Sequence, residues 1–156
     1  MMNIEKLTLT EEWDKTFPKS DLVDHRKVSF VNRYGITLAG DLYVPKGSAG
    51  RLPAIAVCGP FGAVKEQCSG LYAQTMAERG FLTLAFDPSF TGESGGQPRY
   101  MASPDINTED FMAAVALTRV SIAAVLRLSP PQPQMPMMPT RSGSTRSCRE
   151  RKSTAA

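Results

Sequence analysis

The sequence is short of the residues that most triads and metal sites require. Its 156 residues include one histidine, His25, and three cysteines, Cys58, Cys68 and Cys148. Three cysteines at these spacings are too few for a disulfide framework or a zinc site, so we expect no metal and no cofactor. Cys58 and Cys68 are instead expected to be small buried hydrophobic residues. A single histidine also restricts catalysis, because a triad base must lie within hydrogen-bond reach of its nucleophile.

The sequence also lacks a long apolar run and a signal-peptide pattern. No stretch of about 18 or more apolar residues occurs. The best candidate, Ala113–Leu126, is interrupted by Thr118, Arg119 and Ser121. The N-terminus carries acidic residues where a signal peptide has a basic region followed by an apolar one. These absences predict a protein with no membrane partner and a cytoplasmic location.

Charge is unevenly distributed along the chain. Residues 1–110 carry 11 basic and 14 acidic side chains, whereas residues 111–156 carry 7 basic and 1 acidic. The overall net charge of +3 therefore reflects a basic C-terminal stretch rather than a folded surface. A nucleic-acid-binding domain needs Lys and Arg clustered on a folded face, so we expect no nucleic-acid partner. One alternative stays open, that Arg141–Lys152 contacts RNA or acidic surfaces.

Apolar patterning predicts a hairpin followed by a strand–helix–strand unit. Residues 27–32 and 36–44 alternate on either side of an Arg-Tyr-Gly turn, which is typical of an antiparallel hairpin. Residues 52–58 and 81–86 are short continuous apolar runs, typical of parallel strands that are covered on both faces. Residues 65–79 between them have helical spacing and end before a glycine. The predicted fold class is therefore α/β.

The same spacing assigns an apolar face to each of two predicted helices. The face of the first helix is predicted to comprise Cys68, Leu71, Tyr72, Thr75 and Met76. The second helix is predicted to be capped by Thr108, with Glu109 and Asp110 in its first turn and Phe111, Met112 and Val115 beginning its apolar face. In the polar N-terminal stretch, Trp13 and Phe17 are the candidate anchors.

Apolar periodicity fades from about Ala116, and five of the 12 prolines lie in residues 130–139. A segment of this kind cannot bury enough apolar surface to offset its chain entropy, so a disordered tail is predicted. The predicted organisation is an N-terminal extension of residues 1–26, a partial domain of residues 27–115, and a tail of residues 116–156.

The order of these elements and two of the loops resemble the first half of an α/β-hydrolase. The more specific loop is Gly59–Gln67 (Gly-Pro-Phe-Gly-Ala-Val-Lys-Glu-Gln), and the second is Asp87–Gly96. Over residues 27–115 the chain is most similar to the dienelactone-hydrolase-like and acyl-peptidase-like branch. The resemblance implies an incomplete α/β-hydrolase-like sheet. It also implies hydrolysis of a small-molecule ester, lactone, thioester or amide by a nucleophile–histidine–acid triad.

The resemblance further implies a role for the loop that contains Gly59, Phe61 and Gly62. A backbone N–H in this loop would bind the oxyanion of the tetrahedral intermediate, where a donor acts on charge as that charge develops. By position the candidate donor is the N–H of Phe61, with Gly62 allowing the chain to turn closely. The alternative is a plain strand-to-helix turn that needs glycine.

One match to a catalytic motif is interpreted as structural. Residues 92–96 fit the Gly-x-Ser-x-Gly nucleophile elbow, which needs a strand directly before it and a helix directly after it. Here residues 88–90 separate the motif from the strand, and Gln97-Pro98 follows it. Ser94 is therefore predicted to lie in a tight loop and not to act as a nucleophile.

The other polar candidates are also assigned non-catalytic roles. In an α/β-hydrolase the histidine follows the nucleophile and the acid along the chain, whereas His25 precedes every candidate and lies in a polar stretch. His25 is therefore expected at the surface. Asp87, which ends a strand, is expected to be a loop hydrogen-bonding residue. Lys65 and Glu66 are expected in the first turn of a helix, with no required chemistry.

The nucleophile elbow expected after the second helix is missing from the sequence, as are the later acid and histidine. A change of reading frame would explain this together with the change in composition. Read one base upstream, the codons for residues 120–128 (Val-Ser-Ile-Ala-Ala-Val-Leu-Arg-Leu) can spell Val-Asp-Arg-Arg-Arg-Ile-Ala-Val-Ile. That segment is similar to the loop and buried strand that lead to the nucleophile in this fold.

The predicted function is accordingly an α/β-hydrolase-like protein of ester, lactone or acyl-hydrolase ancestry. The chain itself is expected to be truncated and inactive, so no catalytic residue is assigned. The alternative is a non-catalytic interaction fragment that self-associates or pairs through exposed sheet edges.

Overall fold

Four strands and two helices make up the part of the chain that the structure, a computed structural model, describes, namely residues 6–10 and 12–128. They are β1 (Val23–Val31), β2 (Thr37–Pro45), β3 (Ala54–Val57), α1 (Cys68–Glu78), β4 (Leu82–Phe86) and α2 (Pro104–Leu128). The sheet order is β1-β2-β4-β3, with β3 and β4 parallel and the other pairs antiparallel. The predicted hairpin, strand–helix–strand unit and α/β class are confirmed. Within these residues, no helix combines the length and apolar character that a bilayer-spanning segment requires.

The two helices cover opposite faces of the sheet, because neighbouring side chains along β4 point to opposite faces. On one face, Ala85 packs with Tyr43 and with Ala73 and Ala77 of α1. The other face is built by a second cluster, which comprises Leu42, Leu82, Leu84, Phe86 and Ala114 of α2. All five residues of β4 are buried, which confirms the prediction that this strand is covered on both faces.

The other predicted buried strand, β3, lies at the edge of the sheet. Ala54 is exposed and the remaining three residues of β3 are only half-buried. The expectation that β3 is covered on both faces is therefore wrong. An apolar run of this length does not reveal whether a strand is central, because its position depends on which strands pair with it.

Helix α1 presents a different face to the sheet than its large apolar residues predict. The buried residues of α1 are Ser69, Gly70, Ala73, Gln74 and Ala77. Leu71 and Tyr72 are about half exposed, and Cys68 is exposed rather than buried. A Cβ on Gly70 would lie 2.2 Å from the backbone oxygen of Lys65. Gly70 thus leaves room for the segment before α1, and apart from Gln74 the buried face of the helix consists of small residues.

Helix α2 begins at Pro104, four residues before its predicted cap. Proline suits the first helical position, since its missing N–H has no partner there anyway. The Thr108 hydroxyl donates instead to the carbonyl of Pro104 at 2.9 Å. Up to residue 119, the buried residues of α2 are Asp110, Ala114 and Thr118, which are spaced four apart. The residues predicted to face the core are exposed by 39–64%; these are Phe111, Met112 and Val115.

The same helix continues through the predicted boundary at residue 115. Residues 116–128 belong to α2, since Ala, Leu and Arg favour helix even without an apolar stripe. Residues 129–156, which contain the proline cluster, lie outside the described residues. The predicted anchors of the N-terminal stretch are confirmed, because Phe17 is buried and Trp13 packs against the core on the α1 side.

Candidate functional site

The turn after β3 carries an exposed backbone donor. Ala63 N–H donates to the carbonyl of Pro60 at 3.0 Å, and Gly62 has a φ of +82°. A positive φ at the third turn position is what a type II turn requires, and glycine supplies it without strain. Phe61 is 74% exposed, and within residues 6–10 and 12–128 its N–H has no acceptor. The turn thus leaves a backbone N–H unbonded among the described residues, and its role as an oxyanion donor stays a prediction.

Gly59 is required at the start of this turn for a separate reason. A Cβ at this position would lie 2.9 Å from the Cβ of Ala63, closer than real Cβ atoms come. The glycine therefore lets the chain fold back directly at the carboxyl end of β3. In α/β sheets this end of the parallel strands is where ligands bind.

A small cavity lies beside the turn. It measures about 80 Å³ and is lined by the turn itself, by Cys58, by the loop after β4 and by Phe111 of α2. A liquid water molecule occupies about 30 Å³, so the cavity admits a group of a few heavy atoms. Burial, with a smaller contribution from the charge of Asp110, raises the pKa of the Cys58 thiol. The half-buried Cys58 is thus a neutral wall residue rather than a reactive thiolate.

Ser94 is held by two backbone hydrogen bonds. Its hydroxyl donates to the carbonyl of Asp87 at 2.7 Å and accepts from the N–H of Ala39 at 2.9 Å. The residue is 1% exposed, and the next helix begins ten residues later at Pro104. As predicted, Ser94 lies in a loop. Its hydroxyl joins β2 to the segment that follows β4, which leaves it without the exposure that a nucleophile elbow provides.

The glycines of the same motif are explained by packing. Gly92 has a φ of +55°, and a Cβ there would lie 2.2 Å from Oδ2 of Asp87. Gly96 has a φ of +99°, and a Cβ there would lie 2.7 Å from the ring of Phe90. The Gly-x-Ser-x-Gly pattern therefore arises from close backbone approach on both sides of a structural serine.

A buried lysine joins this loop to the turn after β3. The ammonium of Lys65, with a fully buried side chain, lies 3.0 Å from Oδ2 of Asp87 and 2.7 Å from Oε2 of Glu93, and it also contacts Glu66. Asp87 accepts the backbone N–H of Lys65 at 2.8 Å and that of Glu93 at 3.0 Å. The loop hydrogen-bonding role predicted for Asp87 is confirmed. The roles predicted for Lys65 and Glu66 are wrong, since both precede the first residue of α1 and Lys65 is a central buried charge.

The charges of this cluster are mutually stabilised. Burial opposes the charged form of Lys65, but the carboxylates of Asp87, Glu66 and Glu93 outweigh it and raise the pKa of the ammonium above its ordinary value. Burial likewise opposes the charged form of Glu93, but Lys27 and Lys65 outweigh it and lower the pKa of the carboxyl. Lys65 and Glu93 each therefore favour their charged form.

The ion-pair network extends to the N-terminal stretch. Asp14 contacts Lys15 and lies 2.6 Å from Lys27, which is itself 2.8 Å from Glu93. Burial raises the pKa of Asp14, but both lysines outweigh it and bring it to about 2. Carboxylate oxygens of Asp14, Glu66 and Glu93 lie within 4.8 Å of one another. Because each already has a lysine partner, the group is an ion-pair network and not an open metal site.

His25 is part of the same network and is not a surface residue. Its Nε2 lies 2.8 Å from Oδ1 of Asp41, and its side chain is 12% exposed. The ring is packed between Trp13 and Tyr43, with centroids 5.1 and 5.0 Å away. The prediction of a surface histidine is therefore wrong, because β1 begins earlier than the alternation indicates and places His25 in a half-buried position between Trp13 and Tyr43. Its pairing with Asp41 leaves it uninvolved with Ser94, whose hydroxyl is bonded to backbone.

A second buried polar group fixes α2 to the hairpin. Asp110 accepts the N–H and the hydroxyl of Ser89, both at 2.8 Å, and the side-chain amide of Asn32 at 2.7 Å. The Asn32 side-chain oxygen in turn accepts two N–H groups of the hairpin turn. Asp110 is thus a structural acceptor in the middle of the helix rather than a first-turn residue. In the sequence Asp110 lies four positions before Ala114, and this helical spacing was the one signal that could have predicted its burial.

No family model matches the chain. Over 111 residues it is 78% identical to the uncharacterized protein PA2218 of Pseudomonas aeruginosa, which covers 70% of this chain and 30% of that protein. The crystal structure of PA2218 superposes with a TM-score of 0.72 at 74% identity, over 74% of this chain and 36% of that one. The described fold therefore recurs in part of a longer protein.

Two further similar proteins have names that state a chemistry. The chain is 34% identical over 95 residues to the thiohydrolase aneE of Aspergillus aculeatus, which covers 61% of this chain and 29% of that protein. The crystal structure of the α/β-hydrolase GrgF from Penicillium sp. sh18 superposes with a TM-score of 0.55 at 26% identity, over 62% of this chain and 32% of that one. The described residues form part of an α/β-hydrolase fold.

The chain spans about 30% of the length of these curated relatives. The likenesses point to the superfamily and do not single out the dienelactone-hydrolase branch. They say nothing about the position of a nucleophile in this chain.

Proposed function

We propose that the chain descends from an α/β-hydrolase that acted on a small-molecule ester, lactone, thioester or amide. The observation that carries the proposal is the Pro60–Ala63 turn, which presents the N–H of Phe61 beside a cavity at the carboxyl end of β3. The thiohydrolase and the α/β-hydrolase among the similar proteins support acyl chemistry. The dienelactone-hydrolase-like and acyl-peptidase-like branch remains our finer proposal, and it rests on the Gly59–Gln67 loop.

We propose further that this chain does not itself catalyse hydrolysis. Acyl transfer needs a nucleophile, a base to take its proton and an oxyanion donor that converge on one carbonyl. Among the described residues, the hydroxyl of Ser94 is bonded to backbone and the imidazole of His25 to Asp41. The thiol of Cys58 has a raised pKa. Among the described residues, the proposed oxyanion donor therefore has no nucleophile and base beside it.

The change of reading frame after about residue 115 stays a prediction, as does the cytoplasmic location. The coding DNA downstream of codon 115, read in all three frames, tests the former. A second frame that encodes a Gly-x-Ser-x-Gly elbow directly after a buried strand is expected. Three frames without such a segment would contradict it.

The oxyanion role of the turn can be tested in a chimera. Residues 27–115 of this chain would replace the matching residues of PA2218, and hydrolysis of activated esters and thioesters would be measured. Phe61→Pro keeps a turn position that proline favours but removes the N–H, and it is expected to lower kcat about 100-fold or more. Phe61→Ala keeps the N–H and serves as the matched control, with an expected change of less than about tenfold.

Two results would contradict this proposal. If PA2218 and the chimera both fail to hydrolyse any ester or thioester, the hydrolase ancestry loses its support. If an active chimera keeps its kcat in Phe61→Pro, the N–H does not bind the oxyanion and the turn is only a strand-to-helix connection.

A second candidate function is self-association through the open edge of the sheet. β3 is an edge strand of sequence Ala-Ile-Ala-Val with no charge, whereas the other edge strand, β1, carries exposed Asp24 and Arg26. Charged residues on an edge strand block pairing with another chain, so β3 is the unprotected edge. Light scattering should show a mass that rises with concentration, and Ala54→Lys should restore the monomer. A monomer at every concentration would exclude this function.

A further inference from the structure

A larger cavity lies under the N-terminal stretch and shares no lining residue with the cavity beside the Pro60–Ala63 turn. It measures about 390 Å³ and is lined by residues 9, 10, 12 and 13, by Lys19, and by residues 25–27 of β1. Ligand pockets in proteins are typically about 300–1,000 Å³, so the volume suits a small organic molecule rather than a single inorganic ion.

Two lining residues, Trp13 and Lys19, belong to a part of the N-terminal stretch that is bonded to the rest of the fold. The indole N–H of Trp13 donates to the carbonyl of Phe17 at 2.8 Å. The backbone N–H of Thr16 donates to the carbonyl of Glu66 at 3.0 Å, and Gln74 of α1 bonds two further backbone groups of the stretch. The cavity is therefore bounded by an anchored segment, which lowers the entropy cost of binding.

The charges that line the cavity are not balanced internally. Lys19 and Arg26 are exposed, and neither forms an ion pair with any residue in the described part of the chain. Lys19 lies over the ring of Trp13, with its ammonium 5.8 Å from the centroid. Lys27 is already paired with two carboxylates, whereas Glu12 adds a negative charge to the lining. Among the described residues that line the cavity, two cations are thus available to a ligand, against one unpaired acid.

The aromatic part of the lining is also suited to an organic ligand. Trp13 and His25 meet edge to face, and His25 is oriented by its bond from Nε2 to Asp41. Nδ1 of the same ring has no partner among the described residues, so this atom is left for a ligand. Leu9 adds an apolar contact to the same wall. The cavity thus combines apolar surface with unpaired positive charge.

We propose that this cavity binds a small organic oxyanion, a phosphate ester or a carboxylate, whose anionic group contacts Lys19 and Arg26 and whose apolar part contacts Trp13. The proposal is independent of the hydrolase ancestry, because it involves none of the residues of the Pro60–Ala63 turn. Cations beside apolar surface recognise both the charge and the apolar part of such a ligand, and charge-assisted hydrogen bonds are the stronger kind.

The full chain can be tested directly, because Trp13 is the only tryptophan in its sequence and lines the cavity. Trp13 fluorescence would be titrated with phenyl phosphate, with benzoate and with uncharged benzyl alcohol. A saturable change with phenyl phosphate or benzoate, at least about tenfold tighter than with benzyl alcohol, is expected. The stronger of the two anions identifies the group that the site prefers. No saturation with either anion, or equal binding of benzyl alcohol, would overturn the proposal.

Variants that remove one charge test whether the Kd of the anion changes in the expected direction. Lys19→Gln and Arg26→Gln should each raise the Kd of the preferred anion about tenfold, since each removes a charged contact. Glu12→Gln should lower the Kd, because it removes a repulsive charge. Lys46→Gln, at an exposed lysine that does not line the cavity, should leave the Kd unchanged and serves as the control. Unchanged affinity in the first two variants, or equal weakening in the control, would overturn the proposal.

Discussion

Lys65→Met is expected to lower the free energy of unfolding by about 3–5 kcal/mol, or to prevent folding altogether. The substitution removes the ammonium that neutralises the fully buried carboxylate of Asp87 and that also contacts Glu93 and Glu66. The variant is destabilised because it leaves a buried carboxylate without its cation. Urea unfolding followed by Trp13 fluorescence and by circular dichroism measures the change.

Two further variants separate this charge effect from general damage. Lys46→Met changes a lysine that is half exposed and 4.0 Å from Asp24, so a loss below about 0.5 kcal/mol is expected. The double variant Lys65→Met with Asp87→Asn should be more stable than Lys65→Met alone, because the unpaired charge is gone. A loss below about 1 kcal/mol in Lys65→Met would show that the buried pair does not hold the two loops together.

Gly92→Val is expected to have nearly as large an effect and to lower the free energy of unfolding by about 2–5 kcal/mol. Its φ of +55° disfavours any side chain, and a Cβ would lie 2.2 Å from Oδ2 of Asp87. The new atoms must push Asp87 away from Lys65, so the effect reaches the same ion pair. Thermal unfolding of the variant beside the unchanged chain measures the loss.

Gly47→Val is the matched control for this substitution. Gly47 also has a positive φ, +69°, but a Cβ there would meet nothing within 4 Å. Its loss should therefore report backbone strain alone, about 1–2 kcal/mol. Equal losses at the two positions would mean that contact with Asp87 contributes nothing and that Gly92 is needed only for its backbone conformation.

The order and type of the strands could be predicted because their apolar patterns are local. The alternation along β1 and the run Leu82–Phe86 each reflect how one strand meets the core, whereas β2, which was predicted to alternate, is buried at seven consecutive residues. The edge position of β3 could not be predicted in this way, because it depends on pairing between strands distant in sequence. The class of fold was therefore accessible from the sequence, whereas the burial of one of its strands was not.

The contact faces of the helices were missed for a different reason. Patterns of large apolar residues emphasise Leu71, Tyr72, Phe111 and Met112, all of which are exposed. The helices instead contact the sheet through small residues and through polar residues with internal partners. Close approach favours Gly and Ala, which contribute little to an apolar pattern even where they form the interface.

The charged centre could not be predicted because a lysine in sequence is read as a surface residue. Lys65 is buried only because Asp87, 22 positions later, and Glu93, 28 positions later, meet it in space. The pairing has a consequence for the site. It joins the turn that presents Phe61 to the loop that contains Ser94, so the Pro60–Ala63 turn and the Gly-x-Ser-x-Gly motif are parts of one bonded arrangement.

That arrangement makes the Gly-x-Ser-x-Gly match explicable without catalysis. Ser94 supplies two hydrogen bonds across the sheet end, Gly92 makes room for Asp87, and Gly96 makes room for Phe90. Each position of the motif has a packing reason. The motif thus satisfies the pattern of a nucleophile elbow while lacking the strand–turn–helix context that gives such an elbow its chemistry.

Labelling with a fluorophosphonate probe, followed by mass spectrometry of the purified full chain, tests this interpretation most directly. We expect no stoichiometric adduct at Ser94, and hydrolysis of a chromogenic ester no faster than in Ser94→Ala, Cys58→Ala or His25→Ala. Slow background turnover is compatible with this result, because an oxyanion donor alone leaves a residual rate over water. Stoichiometric labelling of Ser94, with a burst of product that Ser94→Ala abolishes, would contradict it and make the chain a working hydrolase.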